Sequence, residues 1–163
     1  MRTCLLLPLL FISVLTSAQT TRVLFLGNSY TGTNDLPGKL RQLALSLGDT
    51  VITQQSTPGG YTYQQHTTNA ASQQFIDQGG WDFVVLQEQS QLPSFQLSQV
   101  QSDCFPFAAE LIDSIRVHSP CAEPVFYMTW GRQNGDASNC ANWPPVCTFE
   151  GMNALLRERY LMM

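Results

Sequence analysis

The sequence predicts an α/β fold, a layered sandwich built on a parallel β-sheet. Four short apolar runs, Val23-Leu24-Phe25-Leu26, Val51-Ile52, Phe83-Val84-Val85-Leu86 and Val125-Phe126-Tyr127-Met128, are mostly continuous, as strands covered on both faces are. Segments with helical spacing separate them, and such alternation joins parallel strands through right-handed crossovers. Small, polar and hydroxyl-bearing residues follow the strands, on the rim where open parallel sheets hold ligands.

Taken in order, the chain opens on a leader. Arg2, the apolar run Cys4 to Leu15 and Thr16-Ser17-Ala18 before Gln19 form the three regions of an export signal. A dozen apolar residues fall short of the about 20 that span a bilayer. Residues 1–18 are therefore expected to be removed, leaving one domain over 19–163, secreted or periplasmic and without a membrane partner. After the first strand, Leu36, Leu40, Leu43, Ala44 and Leu47 share one helical face, with Pro37 in the first turn and Gly48 as the stop. The Gln- and Thr-rich segment Thr62 to Gln78 is a weaker helix. Ala108, Leu111, Ile112 and Ile115 form the stripe of a further helix ending at Ser119-Pro120, and Glu150 to Met163 reads as the last.

Composition narrows the function. Of 163 residues, 44% are hydrophobic and 12% charged, so the chain can bury a core. Eight Lys and Arg against twelve Asp and Glu give a net charge of −4 without a basic cluster, which disfavours nucleic acid and anionic membrane as partners. Beyond the leader stand Cys104, Cys121, Cys140 and Cys147, an even set suited to an oxidising compartment. Cys140 and Cys147, close together in a Pro- and Asn-rich loop, are expected to pair. Cys104 and Cys121 are not, because the helix between them separates its ends by about 20 Å and a bridge needs Cα atoms within about 7 Å. Zinc is disfavoured: there is no C-x-x-C, and His66 and His118 lie far from any cysteine pair in sequence.

Motif spacing excludes three chemistries. Gly32 to Leu40 carries five residues between its glycines and Leu after Lys39, where a phosphate-binding loop needs four residues and then Ser or Thr. No G-x-G-x-x-G follows a strand. Thr31 stands where the second glycine of a G-x-S-x-G elbow would be. What remains is Ser29 as a nucleophile on the turn after the first strand, with backbone N–H groups beside it and, from neighbouring loops, Gly60 and Gln89 as further oxyanion donors. Taken singly, these are a helix cap, a turn glycine and a surface amide. Their convergence on one rim favours acyl transfer.

These residues resemble the blocks of the SGNH (GDSL-like) hydrolases. Val23 to Thr31, with Gly27-Asn28-Ser29-Tyr30-Thr31 at its end, is similar to the first block, with Asn28 in place of the usual Asp; Pro58-Gly59-Gly60 resembles the second. Val84 to Ser90 stands where the third would fall, Gln89 replacing its oxyanion-hole Asn. Gln-Glu-x-Ser here and Tyr127 to Gly131 resemble a secreted bacterial branch of the superfamily. The resemblance implies a three-layer, flavodoxin-like fold and hydrolysis of acyl esters, including those of carbohydrates, with no metal or organic cofactor. Ser29 is then the nucleophile, and Gly60 and Gln89 join the oxyanion hole. Asn28, Tyr30, Glu88, Trp130 and Arg132 are expected to contact the substrate.

The fourth block, Asp-x-x-His, has no counterpart after Trp130, so the domain is expected to be incomplete at its C-terminus and weak in turnover. A serine without a base is a poor nucleophile. His118 falls at the opposite end of the sheet; His66, oriented by Glu88, is the candidate substitute. The rival reading is a non-catalytic carbohydrate-binding or structural protein in which Trp81, Trp130 and Trp143 act as stacking platforms.

Overall fold

The structure is a computed structural model that describes residues 20–163; the expected leader lies outside the described residues. Four parallel strands, β1 (Thr20–Leu26), β2 (Thr50–Ser56), β3 (Phe83–Leu86) and β4 (Glu123–Phe126), lie in the order β2-β1-β3-β4. Helices cover both faces, giving the three-layer, flavodoxin-like α/β/α sandwich. They are α1 (Ser29–Gly32), α2 (Leu36–Ser46), α3 (Tyr63–Thr68), α4 (Ala70–Gln78), α5 (Leu97–Asp103), α6 (Phe105–His118) and α7 (Phe149–Tyr160). None of the helices described is long and apolar enough to cross a membrane.

The core follows from strand order. β1 and β3 are central, and Leu24, Leu26, Val84 and Leu86 are wholly buried against Ile76 and the α6 stripe Ala108, Leu111 and Ile115. β2 is an edge strand, so its expected two-sided cover is incomplete: Ile52 is 47% exposed. The apolar face expected of α2 is likewise displaced. Pro37, Gly38 and Ala44 are buried, whereas Leu43 and Leu47 are exposed, because α2 rests on an edge strand that covers only a narrow strip. β4 ends two residues before the apolar run does. Beyond Tyr127, whose N–H still donates to Leu86 O, β3 has turned inward and offers no ladder. The segment expected to be one weak helix is two, α3 and α4, broken at Asn69, whose side chain caps the second.

The loop after β4 closes with a Cys140–Cys147 disulfide, Cα atoms 4.7 Å apart, as expected; Cys104 and Cys121 are free. Thr148 caps α7, its hydroxyl accepting from the Gly151 N–H.

Candidate active site

Ser29 stands exposed in the first turn after β1. The turn beneath it is held from three sides. Asn28 caps α1 with its Oδ1, which accepts from the Tyr30 N–H at 3.1 Å, while its Nδ2 donates to Tyr61 O at 2.9 Å. Gln87, the first residue after β3, accepts from the Asn28 N–H and the Thr31 hydroxyl, both at 2.9 Å. His66 Nε2 donates to Gly27 O at 2.9 Å. Gly27 is needed for this closeness, since a Cβ there would lie 2.8 Å from Gln87 Oε1 and from Thr31 Oγ1.

This geometry places the expected donors. The N–H groups of Ser29 and Gly60 have no protein acceptor among the described residues. Gly60 sits at φ +73°, in the left-handed region that favours glycine, on an exposed loop. Gln89 is more constrained. Its backbone N–H donates to Glu88 Oε1 at 2.6 Å, its Oε1 accepts from the N–H groups of Gln91 and Leu92, and its Nε2 donates to Gln91 Oε1. One Nε2 hydrogen has no protein partner among the described residues.

Two residues expected to touch substrate are withdrawn from solvent. Asn28 is buried, with both ends of its carboxamide engaged by backbone. Glu88 is wholly buried. Its two oxygens accept from the Tyr63 N–H at 3.1 Å each, and its own N–H donates to Tyr160 Oη. Burial pushes the Glu88 carboxyl up to about 7, against the pull of the Gln89 and Tyr63 amides and the Cys104 thiol. Burial and the neighbouring Glu88 likewise raise Cys104.

His66 is not placed to serve Ser29 as a base. A carbonyl only accepts, so Nε2 carries the proton, and Nδ1 faces Ser72 Oγ at 2.7 Å in the interior. Burial lowers its pKa and keeps the ring neutral. His118 pairs with Asp77 at 3.4 Å, and its carbonyl lies against Gly79 at the far end of the sheet. Neither ring faces Ser29.

The cleft beside Ser29 is aromatic. Tyr30 stacks on Trp130 with ring centroids 4.8 Å apart, and Trp130 is 48% exposed. Together with Gly131, Arg132, Gln133, Phe149 and Glu150 they line a volume of about 600 Å³. A smaller hollow joins Ser29 to Tyr30, Thr33, Asn34 and Trp130. Arg132 reaches back to Asp136, which is buried and also accepts from Gln91 and Asn139. Burial opposes the charge on Asp136, but Asn139, Gln91 and Arg132 outweigh it and hold its pKa low. Trp81 is buried, its Nε1 donating to Phe75 O, so it offers no stacking face. Gln87, Tyr61 and His66 in its bracing role were not legible in the sequence.

Neither a protein-family model nor a curated protein matches this chain. Among solved structures, that of a DUF4886 family protein from Bacteroides uniformis is similar, with a TM-score of 0.71 at 18% identity over 88% of this chain and 62% of that one. That likeness is one of fold, and the chain spans about three fifths of its neighbour's length.

Proposed function

We propose that this chain is an exported serine ester hydrolase of the SGNH type, with Ser29 as nucleophile and a small-molecule or carbohydrate ester as substrate. The observation that carries the reading is an exposed serine on a turn braced from below by Gln87, Asn28 and His66, opening on an aromatic cleft. In that reading Ser29 Oγ attacks the ester carbonyl carbon, and the developing oxyanion meets the free N–H groups of Ser29 and Gly60 and the remaining amide hydrogen of Gln89. The alcohol leaves with a proton, and water then cleaves the acyl-serine. Trp130 and Arg132 flank the acyl or sugar side of the cleft. The Cys140–Cys147 disulfide supports export to an oxidising compartment.

Because neither His66 nor His118 faces Ser29, the 163-residue chain is expected to hydrolyse p-nitrophenyl acetate scarcely above background. A serine without its base keeps only the residual contribution of oxyanion donors and binding, a small fraction of full turnover. A fluorophosphonate probe on the full chain gives the decisive test. Slow covalent labelling at Ser29 is expected, and its loss in Ser29→Ala without a change in Tm, since an exposed hydroxyl contributes little packing. The exposed Trp130, stacked on a half-buried Tyr30, favours a second reading, a carbohydrate-binding protein without turnover. That reading predicts no label at Ser29 under any condition.

A further inference from the structure

Among the buried polar groups under the site are Gln87, His66 and Glu88. The first two brace the Ser29 turn itself. Glu88 does something different, because it stands in the turn after β3 beside Gln89 while its side chain reaches the start of α3. Tyr63 is the first residue of α3 and follows Gly60 by three positions; Gln89 follows Glu88 in the turn after β3. In the strand order β2-β1-β3, these two loops leave the sheet on either side of the Ser29 turn.

We propose that the Glu88 carboxylate is a positioning residue: by accepting the Tyr63 and Gln89 amide protons at once, it fixes the spacing of the two loops that carry the oxyanion donors on either side of Ser29. The consequence for Ser29 rests on the hydrolase reading above; the tie between the loops does not. Two arguments support it. A charged acceptor makes the stronger hydrogen bond, so the ionised carboxylate holds both amides more firmly than a neutral acid or amide would. A neutral residue would also be easier to bury, so the fold retains an ionisable group at a cost in stability. The groups facing Glu88 are Tyr63 from α3, Tyr160 from α7 and Cys104 between α5 and α6, all raised in pKa by burial in the first place. None of the three ionises near neutral pH, so a titration there is expected to belong to Glu88.

The test follows the amide signals of Tyr63 and Gln89 by NMR, together with the rate of fluorophosphonate labelling at Ser29, from about pH 5 to about pH 9. The full chain and Glu88→Gln are compared. In the parent, both amides are expected to shift together near neutral pH, with labelling rising about tenfold through the same interval. In Glu88→Gln the amides stay put and labelling is slow and lacks that inflection. Labelling equal in parent and variant across the range overturns the positioning role and leaves the hydrolase reading standing. No labelling in the parent, with the amides still titrating together, overturns the hydrolase reading and supports the tie. Tyr63 and Gln89 amide signals and exchange rates that are the same in the parent and in Glu88→Gln overturn the tie itself, and should the variant fail to fold, unprotected exchange at the Tyr63 amide of the parent does so.

Discussion

One end of the Asn28 carboxamide caps α1 and the other holds the Tyr61 carbonyl, so the residue needs an acceptor and a donor at once. Aspartate, usual at this place in the family the sequence resembles, would set a carboxylate oxygen against that carbonyl. Asn28→Asp is therefore expected to lose on the order of 1–3 kcal/mol in denaturant unfolding. Unchanged stability would show that the tie to Tyr61 is dispensable. Ser29 was legible in the sequence because its signals are local: an apolar strand, a glycine and a hydroxyl. The burial of Asn28 and Glu88 was not, because it is decided by partners 33 and 25 positions away, beyond any periodic pattern. His66 illustrates the same limit, since only the Gly27 carbonyl and Ser72 determine which way its lone pair points.

At the scale of elements, β1 and β3 were legible because both are central and their continuous apolar runs match two-sided burial. β2 and β4 are edges, and there a pattern read for burial misjudges extent: β2 runs on through Thr53-Gln54-Gln55-Ser56, and β4 starts at Glu123. The loop between Arg132 and Cys147 was legible only through its cysteines. Buried Asp136 ties that loop to Gln91 and so to the turn carrying Gln89, while the disulfide closes its far end. Closing so short a loop is worth about 2 kcal/mol in the unfolded chain. The double variant Cys140→Ser/Cys147→Ser is expected to unfold at correspondingly lower denaturant, with faster hydrogen exchange at the Asp136 amide, which donates to Val146 O. Exchange unchanged at Asp136 would mean that hydrogen bonds alone hold the loop.

For the molecule as a whole, opposing groups set the response to pH. The folded pKa of Glu88 is raised, so its stabilising contribution is complete below its unfolded value of 4.5 and is lost as pH climbs through about 7. His66 and Asp136 are lowered. Their contributions are present above their ordinary values, 6.5 and 3.8, and are lost as pH falls through the depressed ones. Glu88 and His66 therefore oppose each other near neutrality, and the melting curve of the parent hides both. The difference between Glu88→Gln and the parent isolates one. The variant is expected to gain on the parent by up to about 3 kcal/mol as pH rises from about 5 to about 8. A difference constant over that range would show that ionising Glu88 in the native state costs nothing. The strand order has a further consequence, in time. β1 is the earliest of the described strands and sits between β2 and β3, so during synthesis a central strand emerges first with both edges bare. It gains its first neighbour only when Ser56 has been made and its second only at Leu86, and no hairpin shelters it meanwhile. The nascent chain thus stays thread-like until more than half its length exists. Fragments ending before Phe83 are expected to be cut rapidly by protease, and protection should begin once chains extend past Phe126 and α6 can close over the sheet.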